Sequence, residues 1–129
     1  MENPRDRKYT KEHEWIRPEG ESARVGITDY AQHSLTDIVF VELPEKGKIV
    51  EQFKRLAVLE SVKSVSDVFS PASGEVTDAN SELAGAPEKI NQSPFEGGWI
   101  AKIRLKDPKE LDALMSAEQY DEYLKGQKH

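Results

Sequence analysis

The stretch Leu56-Ala-Val-Leu-Glu-Ser-Val-Lys-Ser-Val-Ser-Asp-Val-Phe-Ser-Pro-Ala-Ser-Gly-Glu-Val-Thr-Asp78 decides how the rest of the chain is read. Two apolar, β-branched runs, 56–59 and 65–69, flank Lys63 with no room for a helix between them. That pattern predicts a tight hairpin with a lysine at its tip. Ser70-Pro-Ala-Ser-Gly74 is a turn cluster, and Glu75-Val-Thr-Asp78 starts a further strand. A chain that folds back on itself this often at its centre is mainly β.

Upstream, the same grammar holds. Asp37-Ile-Val-Phe-Val-Glu42 is a strand stopped by Pro44, with Gly47 marking the next turn. Thr28-Asp-Tyr-Ala-Gln-His-Ser-Leu35 reads as a two-turn helix with Thr28 as N-cap and Asp29 at the positive end. Glu14-Trp-Ile-Arg17 and Ala23-Arg-Val-Gly-Ile27 are strands joined by the turn Pro18-Glu19-Gly20, and residues 1–8 are expected to be flexible. Downstream, residues 80–98 are rich in Gly, Pro, Ser and Asn and predict a surface excursion, with one short helix over 87–90. Trp99-Ile-Ala-Lys-Ile-Arg-Leu105 alternates as a half-buried strand does. Asp107-Pro-Lys-Glu110 and Ser116-Ala-Glu-Gln119 each have the form of a capping box, predicting C-terminal helices over 107–125. Short strands closed by helices imply a β-sandwich or flattened barrel, in one domain over 1–129.

Composition narrows the function. The chain has 129 residues, no cysteine, three histidines and a net charge of −6. Without cysteine there is no disulfide framework, thiolate metal site or thiol nucleophile. Leu, Ile, Val and Phe number 9, 7, 9 and 4 of 129 residues, just above the roughly 20% below which chains stay disordered. A folded domain with a thin core follows. Residues 1–20 carry five charges of each sign and residues 101–129 carry six of each, so the whole −6 lies between 21 and 100. Such a surface does not suit nucleic acid or an anionic membrane. There is no apolar stretch of the ~18 residues a membrane span needs. No signal-peptide core precedes the first strand, which makes the cytoplasm the expected location. No acid/base pair, phosphate loop or triad suggests an enzyme.

Lys63 is one of only three basic residues in 55–100, with Arg55 and Lys89. A lysine at an exposed tip offers its amine to a modifying enzyme, and amide formation there would take the net charge from −6 to −7. Spacing alone favours a plainer role, keeping the turn soluble and blunting strand pairing.

Five ordered blocks alter that balance. Tyr9-Thr-Lys-Glu-His-Glu-Trp15; Gly26-Ile-Thr-Asp-Tyr-Ala-Gln32 with Asp37-Ile-Val-Phe-Val-Glu-Leu-Pro44; Glu60-Ser-Val-Lys63 with Ser70-Pro-Ala-Ser-Gly-Glu-Val76; Ile90-Asn-Gln-Ser-Pro-Phe95 with Gly98-Trp99; and Leu114-Met-Ser-Ala-Glu-Gln-Tyr120 together resemble the glycine cleavage H-protein family. The likeness runs over nearly the whole chain. It implies a lipoyl-domain-like fold and a monomeric carrier that is not an enzyme, with lipoate amide-linked to Lys63. It also implies the partners: glycine decarboxylase (the P protein), which loads an aminomethyl group; aminomethyltransferase (the T protein), which unloads it; dihydrolipoyl dehydrogenase (the L protein), which reoxidises the arm; and a lipoate ligase or lipoyl/octanoyl transferase that attaches it. In a eukaryote the location would be the mitochondrial matrix.

The resemblance further points to Glu14 and Asp67 as carboxylates that dock the loaded arm, and to Glu60 and Gly74 as positions a ligase reads. The residues alone suggest a solvated strand for Glu60 and a turn with φ > 0 for Gly74. His13 and Trp15 are expected to pack or cap locally, and Trp99 to lie in the core. The chain departs from the family pattern at Ser34, where a histidine is expected beside Leu35 (His33 stands one position earlier), and at Glu12, where a serine is expected. Biotinyl and 2-oxoacid-dehydrogenase modules fit less well, because Lys63 is flanked by Val62 and Ser64. An H-like lipoyl donor serving other acceptors is a second role that the sequence does not separate from the first.

Overall fold

The computed structural model describes residues 2–126. In chain order the elements are β1 (Lys8–Tyr9), β2 (Glu14–Glu19), β3 (Ser22–Ile27), α1 (Asp29–Leu35), β4 (Ile38–Glu42), β5 (Ile49–Val50), β6 (Arg55–Ser61), β7 (Val65–Phe69), β8 (Gly74–Ala79), α2 (Glu82–Gly85), α3 (Lys89–Gln92), β9 (Ala101–Leu105), a 3-10 helix (Pro108–Ala113) and α4 (Ala117–Lys125). The strands form a six-stranded sheet of order β1-β2-β3-β9-β8-β5 and a three-stranded sheet of order β4-β6-β7, with every pairing antiparallel. The two ladders do not join among the described residues, so the architecture is a sandwich and not a closed barrel.

The core forms where the two sheets face each other. Ile16, Val25 and Ile103 from the larger sheet meet Val41, Leu59 and Val68 from the smaller in one buried cluster. Each such side chain contributes about 1.5–3 kcal/mol by leaving water. β2 buries its other side too, which is why Trp15 and Ile16 are adjacent and both fully buried. Trp15 joins a second cluster with Tyr9, Phe95, Ala117 and Tyr120 beneath α4. Its Nε1 donates to the carbonyls of Ile27 and Pro94, both at 3.0 Å. A Cβ on Gly26 would come within 2.6 Å of the indole, so that close approach requires glycine.

Several local expectations hold. Thr28 caps α1 by accepting from Ala31 N–H, and Ser116 and Gln119 form a complete capping box on α4. Others are corrected. The Asp107–Glu110 box does not close: Asp107 caps Lys109 N–H, but the Glu110 carboxylate is taken by Ser73, accepting from its N–H at 2.8 Å and its Oγ at 2.9 Å; the segment winds as a 3-10 helix instead. β2 continues through Pro18 and Glu19, leaving Gly20 and Glu21 as the turn; Pro18 lies past the reach of β1, where β2 is an edge and a missing N–H costs nothing. The stretch 80–98 is not a surface excursion: it holds two short helices and sends Leu83, Ile90 and Phe95 into the interior. Within the stretch 1–8, expected to be flexible, Asn3 and Arg7 are buried. Arg7 is buried with its guanidinium 4.6 Å from the Trp15 ring, and it donates to the Phe95 carbonyl at 2.8 Å. Trp99 is half-buried under the Arg24 guanidinium, 4.9 Å from its ring.

Candidate functional site

The turn between β6 and β7 places Val62 and Lys63 at its tip. Two-residue hairpin turns usually need φ > 0 at a central position to match the strand twist. Here neither Val62 nor Lys63 takes it; the non-glycine residues with positive φ are His13, Thr36 and Phe53. A side chain compensates. Ser61 Oγ accepts from Lys63 N–H at 3.1 Å and from Ser64 N–H at 3.0 Å, while Ser61 N–H donates to the Ser64 carbonyl at 2.8 Å. Val62 N–H donates to the Asp37 carbonyl at 3.0 Å, tying the tip to the start of β4. The tip is therefore held while the lysine side chain stays in solvent.

Lys63 Nζ reaches back across the hairpin to donate to the Ser34 carbonyl at 3.4 Å. That carbonyl lies in the last turn of α1, where the helix dipole favours a cation. Ser34 also lines a cavity of about 180 Å³. Its walls are Glu12–Glu14, the Ala31–Leu35 side of α1, and β7 at Ser66–Val68. The α1 wall is fixed by Asn91, whose Nδ2 donates to Gln32 Oε1 and the Thr36 carbonyl and whose Oδ1 accepts from Ile38 N–H. Three larger hollows, about 470 Å³ beside Phe53 and Met115, about 700 Å³ around 42–48 and about 240 Å³ beside Ile49 and Arg104, include neither Lys63 nor Ser34; the cavity lined by Ser34 is the one linked to the amine.

Glu14 forms the polar wall of this cavity. It is 2% exposed, yet both carboxyl oxygens are served: Oε1 accepts from Thr10 Oγ1 at 2.5 Å and Oε2 from Phe69 N–H at 3.1 Å. Phe69 sits on the edge strand β7, so its N–H is one that no neighbouring strand takes up. Burial pushes the Glu14 carboxyl up to about 7, against the two hydrogen bonds, which favour its charged form. Next to it, His13 takes φ of 70° and pairs through Nδ1 with the Tyr120 hydroxyl at 2.8 Å; that hydroxyl also meets Thr28 Oγ1 at 2.8 Å. Burial lowers the His13 pKa, keeping the imidazole neutral.

The residues anticipated from sequence thus divide. Glu14 and Asp67 line one cavity, and Lys63 joins it through its hydrogen bond to the carbonyl of Ser34, another lining residue. Asp67 is the more exposed carboxylate, 4.0 Å from Arg55 Nη1. Glu60 is half-buried in the middle strand, paired laterally with Phe40 and Val65. Gly74 lies in the other sheet, opposite Leu105 and Val50. It has no positive φ; a Cβ there would come within 2.1 Å of the Arg104 carbonyl oxygen, so packing and not turn geometry requires glycine. His33 does not substitute for the histidine missing at position 34, since its side chain is 75% exposed and lies 3.5 Å from Asp29. Glu12 does line the cavity. Thr10, Tyr120 and the Ser34 carbonyl were not anticipated: Thr10 bonds Glu14 four residues on, a local contact that carries no motif, Tyr120 acts through contacts distant in sequence, and the third is backbone. Among the described residues no group of three or more His, Cys, Asp or Glu side chains could hold a metal, and no helix is long and apolar enough to cross a membrane.

Residues 7–127 match the family model described as Glycine cleavage H-protein. The chain is 57% identical over 117 residues to the glycine cleavage system H protein of Caulobacter vibrioides, covering 91% of this chain and 97% of that one. To the glycine cleavage system H protein of Halothermothrix orenii it is 56% identical over 124 residues, covering 96% and 97%. Among solved structures, the crystal structure of a glycine cleavage system H protein from Mycobacterium marinum superposes with a TM-score of 0.87 at 35% identity, covering 95% of this chain and 99% of that chain.

Proposed function

The chain belongs to the glycine cleavage H-protein family, and from that premise we propose that it is the carrier of the glycine cleavage system, bearing lipoate on the Lys63 amine and serving the P, T and L proteins without catalysing a step itself. One observation carries the reading: Lys63, at the β6–β7 hairpin tip, has its Nζ hydrogen-bonded to the carbonyl of Ser34, which lines a cavity with a buried carboxyl in its wall.

The residues fit the group. A cavity of about 180 Å³ exceeds the about 150 Å³ that accommodates benzene in an engineered protein cavity, so a five-membered dithiolane ring is within its size. When bound, lipoate would supply a disulfide able to take up the aminomethyl group and be restored by reoxidation. The rest of the work falls to this chain. The Ser61-braced turn holds Lys63 outward. Ile27, Leu35 and Leu59 make part of the cavity wall apolar and exclude water. Glu14, and Asp67 nearer the mouth, supply carboxyl oxygens to an ammonium entering from the Lys63 side. Glu14 is poised for this, because a cation beside a buried carboxyl with a pKa of about 7 draws it into the charged form.

Intact-mass analysis of the protein from its native host, grown where glycine must be catabolised, tests the reading. A lipoyl amide mapped to Lys63 is the expected result, and a bare Lys63 under those conditions refutes it.

A further inference from the structure

The loop between β1 and β2 is built around one side chain. Thr10 is 4% exposed, and each of its polar atoms is bonded within residues 10–14. Its N–H donates to the Glu14 carbonyl at 3.0 Å, and its carbonyl accepts from His13 N–H at 3.1 Å. Its Oγ1 accepts from Glu12 N–H at 3.2 Å and from Glu14 N–H at 3.1 Å. A hydroxyl has two lone pairs and one hydrogen. Both lone pairs are taken, so the hydrogen is committed to Glu14 Oε1. Phe69 N–H, at Oε2, can only donate. Both carboxyl oxygens of Glu14 therefore face obligate donors, an arrangement that favours a carboxylate over a neutral acid. The placement also has a direction. Thr10 and Phe69 line the hollow of about 470 Å³ beside Phe53 and Met115, and not the cavity of about 180 Å³ that Ser34 lines. Glu14 lines that cavity and not the hollow. The donors thus reach the carboxyl from the hollow's side and leave its cavity side free to accept. No cation among the described residues pairs with it there.

We propose that Thr10 is a positioning residue for the loaded arm: its hydroxyl holds Glu14 at the cavity wall as a carboxylate, ready for a cationic amine. The inference rests on the carrier reading, in which Glu14 meets the ammonium of the arm; Glu14 is the contact, and Thr10 acts through it. The other groups facing Glu14 do not do this work. Glu12, on the same loop, and Asp67, across the cavity on β7, are acids and oppose a further negative charge. His13 and Tyr120, on α4, bond to each other, and the Tyr120 hydroxyl to Thr28, not to Glu14. Lys63 Nζ is bonded to the Ser34 carbonyl. Burial favours the neutral carboxyl, and only the Thr10 hydroxyl and the Phe69 N–H oppose it. Of these two, Thr10 alone is a side chain, so the charge state of Glu14 depends on which residue stands at position 10.

The test begins on the full unmodified chain, with an NMR pH titration of the Glu14 carboxyl carbon. Thr10→Val keeps the shape of the side chain without its hydroxyl, and its Glu14 midpoint should lie about one to two pH units above that of the wild type. Thr10→Ser restores the hydroxyl and should bring the midpoint back towards wild type. An unchanged midpoint in folded Thr10→Val overturns the proposal. If circular dichroism shows that Thr10→Val does not fold, Thr10→Cys, whose thiol is a weaker donor and acceptor, decides by the same titration: a smaller rise is expected, and no rise overturns the proposal. The second stage uses the lipoylated chain, loaded by its host P protein with glycine, and follows decay of the loaded arm by intact mass as a function of pH. Thr10→Val should shorten the lifetime severalfold near neutral pH and displace the profile to higher pH. Thr10→Val/Glu14→Gln should decay no faster than Glu14→Gln alone, because Thr10 acts through Glu14. Additive losses would give Thr10 a route that bypasses Glu14 and overturn the proposal. A wild-type chain that takes no lipoyl group at Lys63 would refute the carrier reading, and the arm-holding role with it, whatever midpoint Glu14 shows.

Discussion

The molecule contains two hairpins built to opposite ends. In β2–β3 the turn is closed by Gly20 at φ +68°, the backbone solution to strand twist. Its outward side chains are tied together: Glu19 lies 2.8 Å from Arg17, 3.3 Å from Arg24 and 3.7 Å from Lys102. In β6–β7 no residue of the turn takes positive φ, and a serine side chain does what glycine does in the other. Its outward face keeps apolar side chains uncovered. The first hairpin satisfies its own surface and is scaffold. The second leaves Val62 and Val65 exposed beside Lys63. The difference lies not in strand length or pairing but in which groups are left without an internal partner.

The largest effect expected from this contrast is at Lys63. Lys63→Arg keeps the cation but has no acylable amine, so glycine cleavage in a reconstituted four-component assay should fall to background with circular dichroism unchanged. Retained turnover would remove the functional half of the comparison.

Next in size is Gly74, which packs in the six-stranded sheet against Leu105. With a Cβ 2.1 Å from the Arg104 carbonyl oxygen, Gly74→Ala should cost about 3 kcal/mol in urea unfolding, the upper end for overpacking. If stability is unchanged but acylation by the ligase fails, Gly74 must be moved to the presenting region.

Glu14 stands between the regions, rooted in β2 and bonded to β7. Its carboxyl has an ordinary value of 4.5 and is raised to about 7 in the fold. Below the lower value both folded and unfolded chains hold the proton, and the contribution to stability is complete. As pH rises through this window the unfolded chain releases its proton while the folded one keeps it, so stability is lost, by roughly 3.5 kcal/mol in all at about 1.4 kcal/mol per pH unit. Unfolding measured across pH 4.5 to 7 should show this decline, flattened in Glu14→Gln. The same variant should hasten breakdown of the loaded arm; a lifetime equal to wild type would take Glu14 out of docking.

The scaffold was less legible in sequence than the presenting hairpin, for physical reasons. β-branched runs around Lys63 report a strand pair because the outer face is unshared and period two survives. The Thr28 and Ser116 caps are equally local. By contrast, Leu83, Ile90 and Phe95 are isolated in a polar stretch, and only tertiary structure turns them inward. Glu110 has the right spacing for a cap, yet Ser73, 37 residues away, takes its carboxylate. Arg7 reads as a surface charge because its aromatic partners lie far along the chain. Of the site, the carboxyl pair and the lysine were visible through the family likeness; the Ser34 carbonyl, the Phe69 N–H and the left-handed backbone of His13 carry no residue-type signal.

The smallest predicted effect is the sharpest test of the hairpin contrast. Ser61→Ala removes the oxygen that accepts from the N–H groups of Lys63 and Ser64. Both groups are at an exposed turn, where water can replace the lost acceptor, so global stability should change by only about 0.5 kcal/mol. The local consequence should be larger than the global one. Amide hydrogen exchange at Lys63 and Ser64 should speed up severalfold, while Leu59 and Val68, fixed in the core below, should not change. If exchange at the tip is unaffected, the serine is incidental. The lysine would then be held by strand pairing and the Val62 bond to Asp37, leaving the turn without the side-chain brace that distinguishes it from the glycine turn of β2–β3.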